Sequence, residues 1–247
     1  MSNLDRIAVI SDIHGNLTAL EAVLDDIRQR GIRRIICLGD LVGKGPRSVE
    51  VLYRCMEVCE TVVQGNWDDF VSRDNFEPSV LWYRNQLGRE GLLLLQGLPG
   101  QTTFFLSGQL VRLFHAHPTS LFKRVYFNGA IGQKESMFEP PTLPGTLAIP
   151  QVSDLVGYGD IHHAYIESFS MKTLFNCGSV GNPLDLTQAS YAILEGKLGS
   201  CNDAPYSISF CRVQYDIERE IRIASESGMP FLEPYVRELR TARYSRY

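Results

Sequence analysis

Three times in the first 66 residues an apolar run stops on polar side chains, and the spacing of those stops constrains the fold more than any other feature of the chain. Residues 7–10, I-A-V-I, have the length and β-branching of a buried parallel strand and run directly into S-D-I-H-G-N at residues 11–16. Leu17, Leu20, Val23, Leu24 and Ile27 then recur at helical spacing, with basic residues and Gly31 where a helix C-terminus favours them. The pattern repeats in I-I-C-L-G-D at 35–40, a helix at 49–58, and T-V-V-Q-G-N at 61–66. Three β-α units therefore deliver Asp12 with His14, then Asp40, then Asn66, to one edge of one sheet. That edge, beyond the carboxyl ends of the strands, is where open α/β sheets collect ligands. A carboxylate and an imidazole two residues apart on such a turn can both reach one hard or borderline divalent cation; taken alone, Asp12 reads equally as a turn or cap residue.

Residues 67–98 read as helical, with Leu81, Trp82, Leu87, Leu92, Leu94 and Leu95 as packing residues and Leu98-Pro99-Gly100 as the stop. Strands at 102–106 and 110–114 flank a hairpin turn at Ser107-Gly108-Gln109, and the second runs into His115-Ala116-His117-Pro118. Residues 119–151, rich in Pro and Gly after an amphipathic piece around Met137, are long for irregular chain in a domain and read as a lid or cap. A strand at 155–159 feeds Gly159-Asp160-Ile161-His162-His163. A strand at 173–175 feeds N-C-G-S-V-G-N-P, and 191–195 and 208–213 alternate like antiparallel strands. Residues 216–247 form a helical extension broken around Gly228-Met229-Pro230, whose Arg237, Arg240, Arg243 and Arg246, three apart, read as a solvated helix face. The whole, residues 1–247, reads as one α/β domain. All five histidines, His14, His115, His117, His162 and His163, fall in the loops after strands. Scattered core or surface histidines would not do that.

Composition narrows the partners. A net charge of −4 lacks the basic footprint of a duplex-binding protein. No apolar run approaches a membrane span, and no secretory signal pattern opens the chain. The six cysteines show no C-x-x-C spacing and read as free thiols of a reducing compartment. The sequence thus predicts a cytoplasmic protein acting on a small molecule, with neither nucleic acid duplex nor membrane as partner. It carries no sign of oligomeric state.

In order and spacing, D-x-H at Asp12, G-D at Asp40, G-N at Asn66, the strand-end His115 and G-x-x-H ending in His162 resemble the calcineurin-like metallophosphoesterases, over about residues 7–185. S-D-I-H-G-N, G-D-L-V-G-K-G-P and N-C-G-S-V-G-N-P are closer to a bacterial branch of that family. G-N-W-D and Y-D-I-E-R-E-I look like a subgroup associated with diadenosine tetraphosphate hydrolysis. The resemblance implies a four-layered α/β/β/α sandwich of two mixed sheets and a site for two divalent metal ions. Carried across, Asp12, His14, Asp40 and His162 would hold the first ion, and Asp40, Asn66, His115 and Asp160 the second, with Asp40 bridging. Asp40, Asn66 and His115 would then stand nearest the chemistry. Two such cations, roughly 3.5–4 Å apart, acidify a shared water and clamp the phosphoryl oxygens of an in-line displacement. A donor set of oxygen and imidazole without soft ligands favours Mn²⁺ or Fe, with Zn²⁺, Ni²⁺ and Co²⁺ as alternatives.

Two residues depart from the family pattern. Asp160 stands where the family carries a histidine, so either the site is harder and favours Mn²⁺, or Asp160 turns away and the second metal is weak. Trp67 stands where the family has the histidine that protonates the leaving group. An indole donates a hydrogen bond but cannot hand over a proton at neutral pH, so Trp67 either stacks on a nucleobase or fills space, and Asp68 is left without its expected role. Lys44, between Gly43 and Gly45, takes the place of a phosphate-binding arginine, or is merely solvated. His117 and His163 read as substrate contacts or as supports behind the ligands. The activity implied is that of a metal-dependent phosphohydrolase of phosphoanhydrides or phosphodiesters, such as a dinucleoside polyphosphate. A serine/threonine protein phosphatase and a regulatory binding protein with a degenerate metal site are the alternatives.

Overall fold

A computed structural model describes residues 4–74, 77–143 and 151–246. In chain order it contains β1 (Asp5–Ile10), α1 (Leu17–Gln29), β2 (Arg34–Cys37), α2 (Ser48–Val58), β3 (Thr61–Val62), α3 (Asn66–Ser72), α4 (Pro78–Gln96), β4 (Gln101–Leu106) and β5 (Gln109–Phe114). These are followed by α5 (Ile131–Glu135), β6 (Leu155–Tyr158), β7 (Ala164–Phe169), β8 (Lys172–Cys177), β9 (Ala189–Gly196), β10 (Ser207–Val213), α6 (Ile217–Ser227) and α7 (Leu232–Thr241).

The layering follows from the two-residue period of β1. Ala8 and Ile10 face a core shared with Leu20, Val23 and Ile27 of α1 and Val51 and Leu52 of α2. Ile7 and Val9 face a second core shared with Val111, Leu113, Leu155 and Phe175 of another sheet. A strand apolar on both faces must be covered on both, and here helices cover one side and a sheet the other. The first sheet runs β10-β9-β1-β2-β3, parallel from β1 to β3 and antiparallel through β9 and β10. The second runs β4-β5-β6-β8-β7. Its outer face packs Phe114, Val156, Tyr158 and Leu174 against Val125, Met137 and Phe138, which makes the fourth layer of the expected α/β/β/α sandwich.

The segment expected to be one helix over 67–98 is broken twice, between α3 and α4 and again at Gly88 inside α4, whose φ of 59° and ψ of −175° kink the helix. Arg73 leaves helical geometry, and α4 starts afresh on Pro78, which a helix accepts in its first turn but not in its interior. Asn66 is correspondingly the first residue of α3 rather than a strand end, because β3 stops at Val62 and Gly65 caps the helix, its N–H bonded to Asp68. Of the segment expected to be a lid, residues 144–150 lie outside the described residues. Among the rest, Met137 and Phe138 pack on the second sheet. No described helix is long and apolar enough to cross a membrane.

The C-terminal helices are fastened by buried carboxylates. Glu220 of α6, fully buried, pairs with Arg47, accepts Thr18 Oγ1 at 2.7 Å and accepts the Tyr235 hydroxyl at 3.2 Å. Removing one member of a buried ion pair strands the other. Glu220→Ala is therefore expected to lower the free energy of unfolding in urea by about 3–5 kcal/mol. A loss under about 1 kcal/mol, the range of an exposed pair, would contradict this anchoring.

Candidate active site

The residues at the carboxyl ends of β1, β2, β5 and β6 meet where the two sheets abut. Their loops are held in unusual backbone conformations. Asp12, His14, Asp40, Lys44, Asp160 and His162 all have φ between 48° and 65°, a region costly for residues with a Cβ and frequent where geometry serves a site. Backbone bonds fix these turns: Asp12 N–H to Gly39 O, His14 N–H to Asp40 O and Gly15 N–H to Leu41 O, each 2.9 Å. The 178–183 loop joins them through Val180 N–H to Ser11 O and Gly181 N–H to Asp12 O. Gly65 is obligatory here, since a Cβ would stand 2.2 Å from both the nitrogen and Oδ1 of Asp40.

Asp68 has a role after all. Its carboxylate accepts the backbone N–H of Asp40 (2.9 Å), Leu41 (2.9 Å), Val42 (3.3 Å) and Gly65 (3.0 Å), so it braces the loop that presents Asp40. A carboxylate tied to that many amides is a positioning group. Its spacing from Gly65 carried the signal of a helix cap, but not its reach across to Asp40.

Donor atoms converge around Asp40. His14 Nε2 lies 3.4 Å from Asp40 Oδ2, and His115 Nε2 lies 3.4 Å from Asp40 Oδ1. His162 Nε2 is 3.2 Å from Asp12 Oδ1 and 3.3 Å from His14 Nε2, while Asn66 Oδ1 is 3.2 Å from His115 Nε2. Among the described residues, two groups are close enough to share an ion, Asp12 with His14 and His162, and Asp12 with Asp40 and His115. The other ring nitrogens are spoken for. Nδ1 of His14 meets Val42 O at 3.2 Å, that of His115 meets Leu38 O at 2.8 Å, and that of His162 meets Asn182 O. A carbonyl only accepts, so each Nδ1 carries a proton and each Nε2, in the neutral ring, offers a lone pair, the arrangement that orients metal-binding imidazoles. Asp12 Oδ1 is buried without a hydrogen-bond donor. These residues fit divalent cations.

The electrostatics agree. Burial, reinforced by the Asp12 and Asp68 carboxylates and opposed by His115, pushes Asp40 well above the usual carboxylate range. Burial pulls His115 down, but Asp40, Asp12 and Asp160 outweigh it and lift the imidazole to about 9. A cluster that drives one carboxyl toward protonation and a buried histidine toward charge is one that calls for cations. Burial, with Lys44 next, holds His14 well below its ordinary value, leaving it neutral and able to coordinate.

A cleft of about 620 Å³ opens beside the cluster, with Lys44, Trp67, Arg124, Asp160, His162 and Arg246 among its walls. Lys44 is buried, not solvated, with Nζ 3.3 Å from His162 Nε2, and burial followed by Arg246 brings it down to about 8. Trp67 donates its backbone N–H to Asp40 Oδ1 at 2.7 Å and lays its ring over Gly43, where a Cβ would come within 2.3 Å of it. Asp160 makes a two-armed bond to Arg124, Nε and Nη2 each at 2.8 Å. Its Oδ1 lies 4.0 Å from His115 Nε2, outside the two compact groups. His163 borders the cleft, its Nδ1 on Ile161 O at 2.9 Å and its ring against Phe127. His117 does not join them. Its nitrogens bond Thr119 Oγ1 (2.8 Å) and Ser136 Oγ (3.0 Å), and burial, followed by Lys123, lowers it to about 4.

Sequence reasoning missed Arg124 and Arg246. Arg240, paired with Glu218 at the surface, matches the solvated face expected of the arginine series. Arg246 does not: its side chain, only 13% exposed, pairs with buried Glu238 and borders the cleft. The three-residue spacing no longer lies on a helix there, because α7 ends at Thr241 and Ala242, with a φ of 51°, turns the chain.

Comparison with known proteins agrees with this geometry. The calcineurin-like phosphoesterase superfamily domain matches residues 6–198. An uncharacterized protein of Methanocaldococcus jannaschii is 34% identical over 241 residues, covering 91% of this chain and 93% of that protein. The phosphodiesterase YfcE of Escherichia coli is 28% identical over 202 residues, covering 77% and 87%. The crystal structure of a metallophosphoesterase from Sphaerobacter thermophilus superposes with a TM-score of 0.74 at 28% identity, covering 97% of this chain and 100% of that one.

Asp68→Asn replaces one accepting oxygen by a donor facing amide N–H groups. The variant is expected to lose metal affinity and activity by about 10–100-fold, as supports behind metal ligands do. Titration calorimetry with Mn²⁺ giving an affinity within about twofold of the parent would contradict the bracing role.

Proposed function

We infer the reaction of this site from its family: the chain belongs to the calcineurin-like phosphoesterase superfamily and is a phosphoester-hydrolysing enzyme that uses divalent metal ions. The finer reading is that it holds two ions, Mn²⁺ or Fe, and cleaves a phosphoanhydride or phosphodiester of a small nucleotide-like substrate, such as a dinucleoside polyphosphate. The observation that carries the reading is Asp40, with one carboxylate oxygen toward His14 and the other toward His115. That placement suits a bridge. Asp12, His14 and His162 complete the first set of ligands, and Asn66 and His115 the second, while Asp160, both of whose oxygens are held by Arg124, stands beside the second set rather than in it.

When bound, the ion pair supplies an acidified water and a clamp on the phosphoryl oxygens. The chain supplies the rest. The Nδ1–H bonds to backbone carbonyls keep three imidazoles aimed, and the Asp68 brace keeps Asp40 between them. With its Oδ1 toward His115, Asn66 keeps an amide N–H₂ to donate to a phosphoryl oxygen, and Lys44 Nζ sets a cation over the same cleft. Trp67 offers an apolar ring face and no proton. A leaving group must therefore depart as a stable anion, which speaks for anhydrides and aryl esters and against a serine/threonine protein phosphatase. The complete donor set speaks equally against a binding protein with a degenerate site.

Losing a bridging carboxylate removes a contact from both ions, so Asp40→Asn is expected to cost far more in kcat/KM than Lys44→Ala. Comparable losses would sink the bridge. In a substrate comparison with Mn²⁺, the absence of a general acid is expected to leave phosphoserine peptides slower than diadenosine tetraphosphate by on the order of 10²–10⁴-fold. Equal rates would mean that another residue donates the proton.

A further inference from the structure

The segment after α7 lies beyond the matched family domain, yet it returns to the cleft and brings Arg246 to its wall. Arg246 is built in. Its Nε donates to Glu238 Oε2 at 3.0 Å, and Glu238, fully buried, also accepts Asn182 Nδ2 at 3.2 Å and the Ser245 N–H at 3.1 Å. Asn182 in turn receives the Nδ1 proton of His162 on its carbonyl. The arginine is thus tied through two residues to a proposed metal ligand, and its side chain is only 13% exposed.

A guanidinium has five N–H donors, and Glu238 takes one of them; Nη2 is buried with no hydrogen-bond partner. Lys44, the other cation in this part of the cleft, has its Nζ on His162 Nε2 at 3.3 Å, with the Asp40, Glu238 and Asp12 carboxylates acting on it through space. Arg124 differs, since Asp160 occupies two of its arms. Two largely covered cations with spare donors in one cleft repel each other, and an anion between them would relieve that cost and satisfy both. A guanidinium and an ammonium together match the charge and geometry of a phosphoryl group.

We propose that Arg246 and Lys44 form a subsite for the phosphoryl group next to the one hydrolysed, selecting substrates that carry at least two linked phosphates. The inference rests on the reading of a phosphoanhydride substrate, and binding rather than turnover tests it. Dissociation constants of AMP and of α,β-methylene-ADP, which is not cleaved between its phosphates, are measured by calorimetry on the full chain at fixed free Mn²⁺. The diphosphate analogue is expected to bind at least about tenfold tighter than AMP, the worth of charge-assisted hydrogen bonds to one more phosphoryl group. Arg246→Gln is expected to bring the two within about twofold while leaving AMP nearly unchanged, and Arg246→Lys to retain most of the preference. An unaltered ratio in Arg246→Gln would overturn the subsite. So would an equal weakening of both ligands, the mark of a merely structural role. If the ratio collapses as expected while diadenosine tetraphosphate is not hydrolysed by the parent protein, the subsite stands and the dinucleoside polyphosphate reading falls.

Discussion

Asp12 and Asp40 carry carboxylates into a place where neither is exposed to water, at the seam between two sheets. Buried charge of one sign is tolerated only where it is paired or coordinates a cation, and the pairing available here is with imidazoles whose outward nitrogens are already committed to carbonyls. The surrounding architecture can be understood as what it takes to hold those two carboxylates together. Asp68 spends its carboxylate on four backbone amides, three of them in the loop of Asp40. Six residues of the site accept left-handed backbone geometry, and a glycine stands where any side chain would strike Asp40.

The same constraint explains why the C-terminal helices are part of the site. Glu220 reaches Arg47, whose backbone N–H bonds Gly15 in the first ligand loop. Glu238 reaches Asn182, whose carbonyl orients His162. Two buried acids on successive helices thus fasten two loops of the site. A unit that is an appendage in the order of the chain is a wall of the cleft in space.

Much of this was legible in the sequence because a parallel strand reports its own end. The apolar run of β1 stops at Ser11, and Asp12 and His14 follow; the same local logic places Asp40, His115 and His162 at strand ends of the two sheets. What stayed hidden depends on partners distant in sequence. Three of the four amides that Asp68 binds lie 26 to 28 residues back, and Asn182 lies 56 residues from Glu238. Arg246 looked like the next member of a helical arginine series, and only the left-handed Ala242 takes it off that helix. Pro78 was a visible break in the stretch expected to be one helix, and its signal as a helix start is clear once α3 and α4 are seen apart.

The central claim is that Asp40 joins two cations, and anomalous diffraction from crystals grown with Mn²⁺ tests it most directly. The account predicts two peaks that both contact Asp40, one also touching His14 and His162 and the other His115 and Asn66. A single peak, or two that do not share Asp40, would contradict it.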